Sequence, residues 1–353
     1  MSDNQGGKRV RIRDIAEALG VSTATVSNVI HNKTAKISAA TVERVQKALD
    51  EFGYAPNMAA ISLAQKYSPV VGVVVSATQR YSKAMLTDPF ISHMLDSIST
   101  ELEHHGYTLM LCRESDIRNI PRKAHMWNWA GAIFMSFPQN AYAELTDRMP
   151  IPFVAIDGGQ FDSPHYATSG LDNRTAGQQA GEYLFRCGHT RIGFISDSSR
   201  LSESARSSVP SMRYYGLVDA LRAAAPDAPT PCAYTLPATP EERIETYAQI
   251  YRDSLDGKIS AIFSVADIFA IELINYLNDQ GVKLPEALSI IGFDDTELAT
   301  IVRPQLTTFR QDLTARGTNV VKMLLSMVES NETPGHIIDE VRMIHRSSVS
   351  NLR

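Results

Sequence analysis

The sequence has few cysteines and no apolar run long enough to cross a membrane. Only three cysteines, Cys112, Cys187 and Cys232, occur among 353 residues. Their odd number and wide spacing favour reduced thiols over a disulfide framework or a metal site. The longest apolar runs, such as VVGVVV in residues 70–75, have the length of strands. The polar start, MSDNQGGKR, is not expected to be a signal peptide, so we expect a cytoplasmic protein without a membrane partner.

Sequence motifs of several enzyme classes are also missing. The chain has no G-x-x-x-x-G-K-[ST], no strand-linked G-x-G-x-x-G and no G-x-S-x-G. Asp294 and Asp295 resemble a catalytic pair, but neighbours at a strand end point in different directions. One is therefore expected to face a cleft and the other to be structural. His104 and His105 are adjacent as well and lack the spacing of metal ligands. The sequence predicts a protein that is not an enzyme and uses no metal or cofactor.

Charge is distributed unevenly along the chain. Of 34 basic and 39 acidic residues, nine and six lie within residues 1–66, which gives this part +3 and the remainder −8. A basic head on an acidic body indicates that the head meets a polyanion. The length fits two or three domains, and 44% hydrophobic with 21% charged residues fits a soluble globular protein.

Three short helices are predicted in residues 12–53. The first ends at Gly20, which can take the positive φ of a helix end. Ser22 is suited to cap a second helix, and a third is expected to begin after Ser38 and end at Gly53. A helix, a three-residue turn, a second helix and a bracing helix form the helix-turn-helix arrangement. The residues expected to face inward are Ile12, Ile15, Ala16, Leu19, Val26, Val29, Ile30, Val42, Val45, Leu49 and Phe52.

The second predicted helix carries small side chains on its outer face, namely Thr23, Ala24, Ser27 and Asn28. Such a row can enter the major groove of DNA, where a bulky or acidic row could not. The alternative is a solvated polar face on a small three-helix bundle.

Residues 11–64 resemble, almost position for position, the DNA-binding head of the lactose-repressor (LacI/GalR) family. They carry its pattern D-[IV]-A-x-x-x-G-V-S-x-x-T-V-S-x-V, then N-x-x-x-x-[VI]-S and G-Y-x-P-N. The resemblance implies double-stranded operator DNA as a partner, with base contacts from some side chains and phosphate contacts from others. It assigns base contacts to Thr23, Ala24 and Asn28, and phosphate contacts to Arg13, Ser22, Thr25, Ser27, Asn32, Lys36, Ser38 and Asn57.

Position 28 departs from the family, which more often has arginine there, a residue suited to guanine. Asn28 is suited instead to a bidentate contact with adenine N6 and N7. Our hypothesis is an operator with adenine where many relatives' operators carry guanine.

Residues 57–66, NMAAISLAQK, are predicted to form one more short helix. Ten residues are too few for a stable helix alone in water. The resemblance implies that this hinge helix folds when two subunits pair over DNA. Leu63 would then wedge into the minor groove, and Ala60 would let the paired helices approach. The alternative is an ordinary linker helix with Leu63 packed on the body. We expect the head to span residues 1–56, and the hinge helix and linker to span residues 57–68.

The body, residues 69–353, alternates apolar runs with amphipathic helical periods. PVVGVVVS, YTLMLC, GAIFMS, PFVAID, RIGFIS, SAIFSV and LSIIGFD are predicted to form buried parallel strands. This alternation indicates α/β layers, and the length suffices for two lobes. The resemblance continues here and implies the fold of periplasmic binding proteins. The lobes are expected at about residues 69–168 with 311–338, and at about 169–310 with 339–353.

The cleft between the lobes is the expected site of a small-molecule effector. By position, Phe90 would form an apolar wall, Arg213 would donate, and Asp157 and Asp294 would accept from hydroxyl groups. An aromatic face with a fixed guanidinium and carboxylates suits a sugar. For each residue taken alone, a core position or a surface ion pair is the alternative.

Two departures bear on the effector. The chain has Ala266-Asp267 where the family commonly has Asn-Asp, which removes an amide that contacts ligand or orders the cleft. The first cleft loop, SATQRYSKAMLTDPF, is longer than usual and is either a lid or an insertion without a role. A non-sugar effector, a phosphorylated sugar and the absence of an effector all stay open.

These observations together predict a transcription regulator, with repression the expected direction. The end of the chain, HRSSVSNLR, has no heptad repeat, so a homodimer on a near-palindromic operator is expected. The rival interpretations are a sensor that does not regulate transcription and an architectural or effector-independent DNA-binding protein with a degenerate cleft.

Overall fold

A computed structural model gives the arrangement of the chain. It describes residues 10–30, 33–54, 68–77, 85–197, 201 and 208–353. The chain divides into two units, Met1–Ser68 and Pro69–Arg353, which we call the head and the body. No helix among the residues described is both long and apolar enough to span a bilayer.

The described part of the head consists of three helices around one small core. They are α1 (Ile12–Leu19), α2 (Thr23–Ile30) and α3 (Ala39–Glu51). Gly20 ends α1 with φ 65°, as predicted. The core residues are Ile15, Ala16, Val26, Val29, Val45, Ala48 and Leu49, packed against the half-buried Ile12, Leu19, Ile30 and Val42.

The prediction for Phe52 is wrong, because its side chain is 43% exposed. Phe52 is the residue after the end of α3, beyond the helical rows that contact the other two helices. The chain turns at Gly53, which has φ 59°. Tyr54 then packs against the core in its place.

The body is built from alternating strands and helices. The elements up to the first change of lobe are β1 (Val70–Ser76), α4 (Pro89–His104), β2 (Thr108–Glu114), α5 (Ile120–Met126), β3 (Gly131–Met135), α6 (Ala143–Thr146), β4 (Phe153–Ile156) and β5 (Tyr166–Leu171). Those of the second lobe are α7 (Asn173–Arg186), β6 (Ile192–Ser196), α8 (Val209–Ala224), β7 (Cys232–Thr235), α9 (Pro240–Leu255), β8 (Ala261–Ser264), α10 (Asp267–Asp279), β9 (Ser289–Ile291), α11 (Leu298–Ile301) and β10 (Thr308–Arg310). The chain closes with α12 (Leu313–Leu325), β11 (His336–Asp339) and β12 (Arg342–Ile344).

Two parallel sheets form the centres of the two lobes. The first has the order β11-β5-β4-β3-β1-β2 and the second the order β7-β6-β8-β9. A separate antiparallel pair joins β10 and β12. The parallel sheets confirm the predicted fold class, and each of the seven predicted strand segments contains a strand. The predicted burial is wrong for β2, which lies at the edge of its sheet and is partly exposed. Strands β5, β7, β10, β11 and β12 were not predicted, because they are short or lack a continuous apolar run.

Burial on both faces explains the unbroken apolar sequence of β1. Val71, Val73 and Val75 belong to one core cluster, whereas Val74 points to the opposite face and joins another. A Cβ at position 72 would overlap the ring of Trp129, so glycine is required for that indole to cover the strand.

Three segments carry the chain between the two sheets. The first follows Leu171 at the end of β5, the second lies between β10 and α12, and the third follows Asp339 at the end of β11. Residues that are far apart in sequence therefore meet where the lobes join.

Candidate functional site

The outer surface of α2 presents the side chains predicted to contact bases. Val26 and Val29 are buried in the head core, which fixes the rotation of the helix about its axis. Thr23, Ala24 and Asn28 are consequently exposed. All three are short and uncharged, so the helix can approach base edges closely.

Two hydroxyl pairs stand at the beginnings of α2 and α3. Ser22 Oγ accepts the Thr25 N–H at 3.0 Å and lies 2.8 Å from Thr25 Oγ1. Ser38 Oγ accepts the Thr41 N–H at 3.3 Å and lies 2.8 Å from Thr41 Oγ1. Capping uses an oxygen lone pair, and each pair donates one hydroxyl proton internally, so the other hydroxyl proton of each pair can still turn towards phosphate. The positive end of each helix dipole also favours an anion.

Charged side chains border this surface. Arg13 forms an exposed ion pair with Glu17, with 3.4 Å between Nε and Oε1. Exposed pairs of this kind are weak, so Arg13 can exchange Glu17 for a phosphate. Lys36 is exposed. Arg44 donates from Nη2 to the carbonyl oxygen of Leu19 at 3.0 Å and thereby ties α3 to the end of α1.

Four of the predicted DNA-contacting residues, Asn32, Asn57, Ala60 and Leu63, fall outside the described residues, so their roles stay predictions. Ser27, on α2, is half-buried.

In the body, a close helix crossing positions Arg213. A Cβ at Gly177 of α7 would overlap the carbonyl oxygen of Arg213, and a Cβ at Gly216 of α8 would overlap that of Arg174. Only glycine at both positions permits this backbone contact. The crossing brings the second turn of α8 over the beginning of α7.

Arg213 lies at the carboxyl ends of three strands, where ligands bind in folds of this kind. Its Nε donates to Oδ1 of Asn173, after β5, at 2.9 Å, and its Nη1 donates to the carbonyl oxygen of Val265, after β8, at 2.5 Å. Its Cζ lies 3.2 Å from the ring centroid of Phe293, after β9, a cation–π contact. The side chain is only 4% exposed, so it is rigidly held.

The two adjacent aspartates after β9 have different surroundings. Asp295 accepts from Arg310 Nε and from Arg346 Nη2, both at 2.5 Å, and its side chain is 4% exposed. It is a structural carboxylate. Asp294 has φ 121°, which few residues other than glycine adopt, and accepts from Gln311 Nε2 at 2.6 Å.

The other two predicted effector residues belong to the first lobe. Asp157 follows β4 with φ 55°, and its Oδ1 accepts from Nη2 of the buried Arg316 at 3.0 Å. Phe90 is half-buried and packs against the core of the first lobe.

A groove of about 680 Å³ runs along the junction of the lobes. Asp294 lines it, together with Pro89 at the start of α4. Of the four predicted effector residues, Asp294 lines this groove and Phe90, Asp157 and Arg213 do not. Phe90 follows Pro89 in the chain, and Arg213 contacts Phe293, the residue before Asp294. Asp157 is joined to Asp294 through Arg316 and Gln311. The other lining residues are Ser92, His93, Asp96, Asp295, Thr296, Glu297, Arg310, Gln311, Asp312, Leu313 and Thr314.

Asp267, beside the departure at Ala266, is buried under the loop that carries Asp294. It accepts from Thr308 Oγ1 at 2.5 Å and from the Thr296 N–H at 2.8 Å. Burial raises the pKa of its carboxyl to about 6, although these hydrogen bonds act to lower it. Asp267 therefore holds the cleft loop in place. Ala266 is buried at the start of α10 and provides no side-chain cap.

Sequence reasoning did not assign roles to Asn173, Phe293, Gln311 and Arg316. The first three lie inside segments that carry the family resemblance, LDNRTAG, IIGFDDTELA and PQLTTFRQ, so a signal was present. Arg316 had none, since an arginine in an amphipathic helix usually faces solvent. Among the described residues there is no group of three or more His, Cys, Asp or Glu suited to a metal ion.

Comparison with known proteins assigns the chain to a family. A model for bacterial regulatory proteins of the lacI family matches residues 11–57, and one for periplasmic binding protein-like domains matches residues 182–349. The HTH-type transcriptional repressor PurR of Vibrio vulnificus (strain CMCP6) is 31% identical over 328 residues, 91% of this chain and 92% of the relative. The chain belongs to the lacI family of bacterial regulatory proteins. Its head is the helix-turn-helix DNA-binding domain of that family, as the resemblance predicted.

Solved structures of lacI-family proteins have the same fold. The lac repressor dimer bound to operator and the anti-inducer ONPF matches with a TM-score of 0.79 at 23% identity, over 97% of this chain and 100% of that one. A LacI-family transcriptional regulator from Enterococcus faecium with bound ribose matches with a TM-score of 0.66 at 22% identity, over 80% of this chain and 100% of that one.

Proposed function

We propose that this lacI-family regulator is a repressor that acts in the cytoplasm and binds a near-palindromic operator as a homodimer. The observation that carries the proposal is the exposed row Thr23, Ala24 and Asn28 on a helix whose rotation is fixed by Val26 and Val29. These three side chains contact base edges. Phosphates are held by Arg13, Ser22, Thr25, Ser27, Asn32, Lys36, Ser38 and Asn57, while Leu63 and Ala60 act in the minor groove.

Selection of binding sites from a random DNA library tests this part of the proposal. We expect a near-palindromic site with adenine opposite Asn28, and guanine at that position after selection with Asn28→Arg. Leu63→Ala should weaken binding to the selected site much more than to random duplex, because the wedge acts on a kinked site. Lys36→Ala is the matched control and should weaken both, with a flatter salt dependence. Guanine selected by the unchanged protein would contradict the assignment of Asn28.

The second part of the proposal concerns an effector in the cleft between the lobes, a sugar or sugar derivative. Arg213 donates to it, Asp157 and Asp294 accept from its hydroxyl groups, and Phe90 forms an apolar wall. Support comes from the buried and rigid arginine, and from relatives of the same fold with ribose and ONPF bound. Effector binding changes the angle between the lobes and thereby the affinity with which both heads of the dimer bind one operator. A nearly complete switch needs a preference of roughly 5 kcal/mol for one state.

A thermal-shift screen with sugars, sugar phosphates, nucleosides and purines tests the second part. A ligand of the native state raises the melting temperature, by an amount that grows with ligand concentration. The shift should disappear in Arg213→Ala and persist in Arg252→Ala, which removes an exposed arginine of the same lobe. A panel without any shift would favour the effector-independent or architectural function instead.

A further inference from the structure

A buried arginine joins the segments that connect the lobes. Arg316 lies on α12 with 1% of its side chain exposed. Its Nη1 donates to Oε1 of Gln311, and its Nη2 donates to Asp157 Oδ1 at 3.0 Å and to the carbonyl oxygen of Ser169 at 3.4 Å. Its Nε lies 3.6 Å from Asp339 Oδ2 in an ion pair.

These partners lie on or beside the three segments that carry the chain between the lobes, which we call passages. Ser169 lies on β5 just before the first passage, Gln311 lies within the second, and Asp339 is the last residue of β11 before the third. Ser169 Oγ also donates to Asp339 Oδ2 at 3.2 Å, so the first and third passages are bonded to each other beside the guanidinium. One planar cation therefore contacts all three chain segments, the first two through hydrogen bonds and the third through an ion pair in which Nε makes no hydrogen bond.

The same cation is connected to the second lobe through one amide. Gln311 is 5% exposed, accepts from Arg316 with Oε1, and donates from Nε2 to Asp294 Oδ1 at 2.6 Å. A continuous series of hydrogen bonds thus runs from Asp157 through Arg316 and Gln311 to Asp294. Its two ends are the carboxylates assigned to the effector in the two lobes.

The charges in this series depend on one another. A buried guanidinium is costly unless carboxylates pair with it, and here Asp157 and Asp339 do so. Without the cation, these two carboxylates of the first lobe would lose their positive partner, and Gln311 Oε1 would lose its donor. Lysine cannot replace the arginine, because a single ammonium group does not reproduce the planar fork.

We infer that Arg316 is a positioning residue for the effector cleft. It sets Asp157 and Asp294 at a fixed separation and holds the unliganded lobes at one relative angle. This inference deepens the proposed function and relies on it only for the identity of the cleft as the effector site. A ligand that draws on Asp157 or Asp294 competes with Arg316 or Gln311, so binding in either lobe alters the same series of bonds.

Pulsed electron–electron distance measurements on the full chain test this inference without effector or DNA. One spin label is placed at Asp147→Cys in the first lobe and one at the exposed Cys232 in the second, with Cys112→Ser and Cys187→Ser in the background. Dilution with excess unlabelled chain isolates distances within one subunit. We expect one narrow distribution, which Arg316→Leu should widen about twofold or split as further lobe angles become populated.

The matched control is Arg243→Leu. Arg243 is also buried, at 7% exposure, and donates from Nη1 to Glu272 Oε1 at 2.8 Å, but both residues lie in the second lobe. This variant should lose stability and keep the narrow distribution.

Two outcomes would overturn the inference. One is an unchanged distribution in Arg316→Leu, and the other is equal widening in Arg243→Leu, which would indicate general loosening of the body. If Arg316→Leu does not fold, Gln311→Leu cuts the series between the lobes while the guanidinium keeps both carboxylates, and the same widening is expected. Failure of the proposed effector function would appear separately, in the ligand panel.

Discussion

The head and the body place their functional side chains in opposite ways. In the head, the three proposed base-contacting residues are exposed and lie within six positions of one helix. Their placement requires no bond to a residue far away in the sequence. In the body, Arg213 is bonded to Asn173, 40 positions away, and Asp157 is bonded to Arg316, 159 positions away. The surface proposed to contact bases is therefore a local property of this sequence, whereas the cleft exists only once the whole body has folded.

Truncation of Arg213 should give the largest effect on stability, and it should destabilise the body without destabilising the head. Arg213→Ala removes two charge-assisted hydrogen bonds and the contact with Phe293, so the body should lose about 4 kcal/mol of unfolding free energy. Chemical denaturation would measure this loss of unfolding free energy. Hydrogen exchange should then show unchanged protection of the backbone amides in α1 to α3. Equal loss of protection in the head would show that the two regions are not independent.

The pH dependence of Asp267 should be nearly as large. Its folded pKa of about 6 lies above the ordinary 3.8, so its contribution to stability is fully present below the lower value and is lost as pH rises through the higher one. Relative to Asp267→Asn, the unfolding free energy of the unchanged protein should fall by about 3 kcal/mol between about pH 4 and about pH 7.

Asp253 provides the control with the opposite sign. Burial acts to raise the pKa of Asp253, but hydrogen bonds from Lys258, Gln249 and Tyr234 together outweigh it and leave the pKa lowered. The stabilisation by Asp253 is present above its ordinary pKa and is lost as pH falls. The difference in unfolding free energy between the unchanged protein and Asp253→Asn should therefore not decline as pH rises over the same interval. A decline for Asp253→Asn, or a flat difference for Asp267→Asn, would contradict the assigned directions.

Substitution of Asn28 should affect DNA binding and leave folding unchanged. Asn28→Ala removes one bidentate contact, so affinity for the selected operator should fall about tenfold while affinity for random duplex stays the same. Fluorescence anisotropy at fixed salt measures both. The melting temperature should not move, because the side chain is exposed. A lowered melting temperature would mean that the surface of α2 also stabilises the head.

Removal of the cap at Ser22 should give the smallest effect. Ser22→Ala loses the hydrogen bond to the Thr25 N–H, which should cost the head about 1 kcal/mol. Ser22→Asp is a useful partner, since it keeps a capping oxygen but repels phosphate. It should retain stability and weaken binding to every duplex. If Ser22→Asp binds DNA normally, the proposed phosphate contact is wrong.

The comparison also explains how much the sequence alone could predict. The three head helices and their core follow from local signals, since apolar periodicity and Gly20 act within a few residues, and only Phe52 was placed wrongly. The parallel sheets follow from runs such as VVGVVV. The surroundings of Arg213 and Asp157 could not be predicted, because Asn173 and Arg316 reach them only through the crossing of α7 with α8 and the three passages between lobes. No local pattern distinguishes Arg316 from a solvent-facing arginine.

The crossing of α7 and α8 limits how this regulator can evolve. Because Gly177 and Gly216 leave no room for a Cβ, the two helices touch backbone to backbone, and the crossing fixes the main-chain position from which the Arg213 side chain reaches Phe293. If Arg213 donates to the effector as proposed, a lineage that acquires a new effector keeps the guanidinium where it is. Under the proposed function, adaptation then requires substitutions on the opposite lobe, around the proposed effector residues Phe90 and Asp157, so sequence divergence among close relatives should concentrate there.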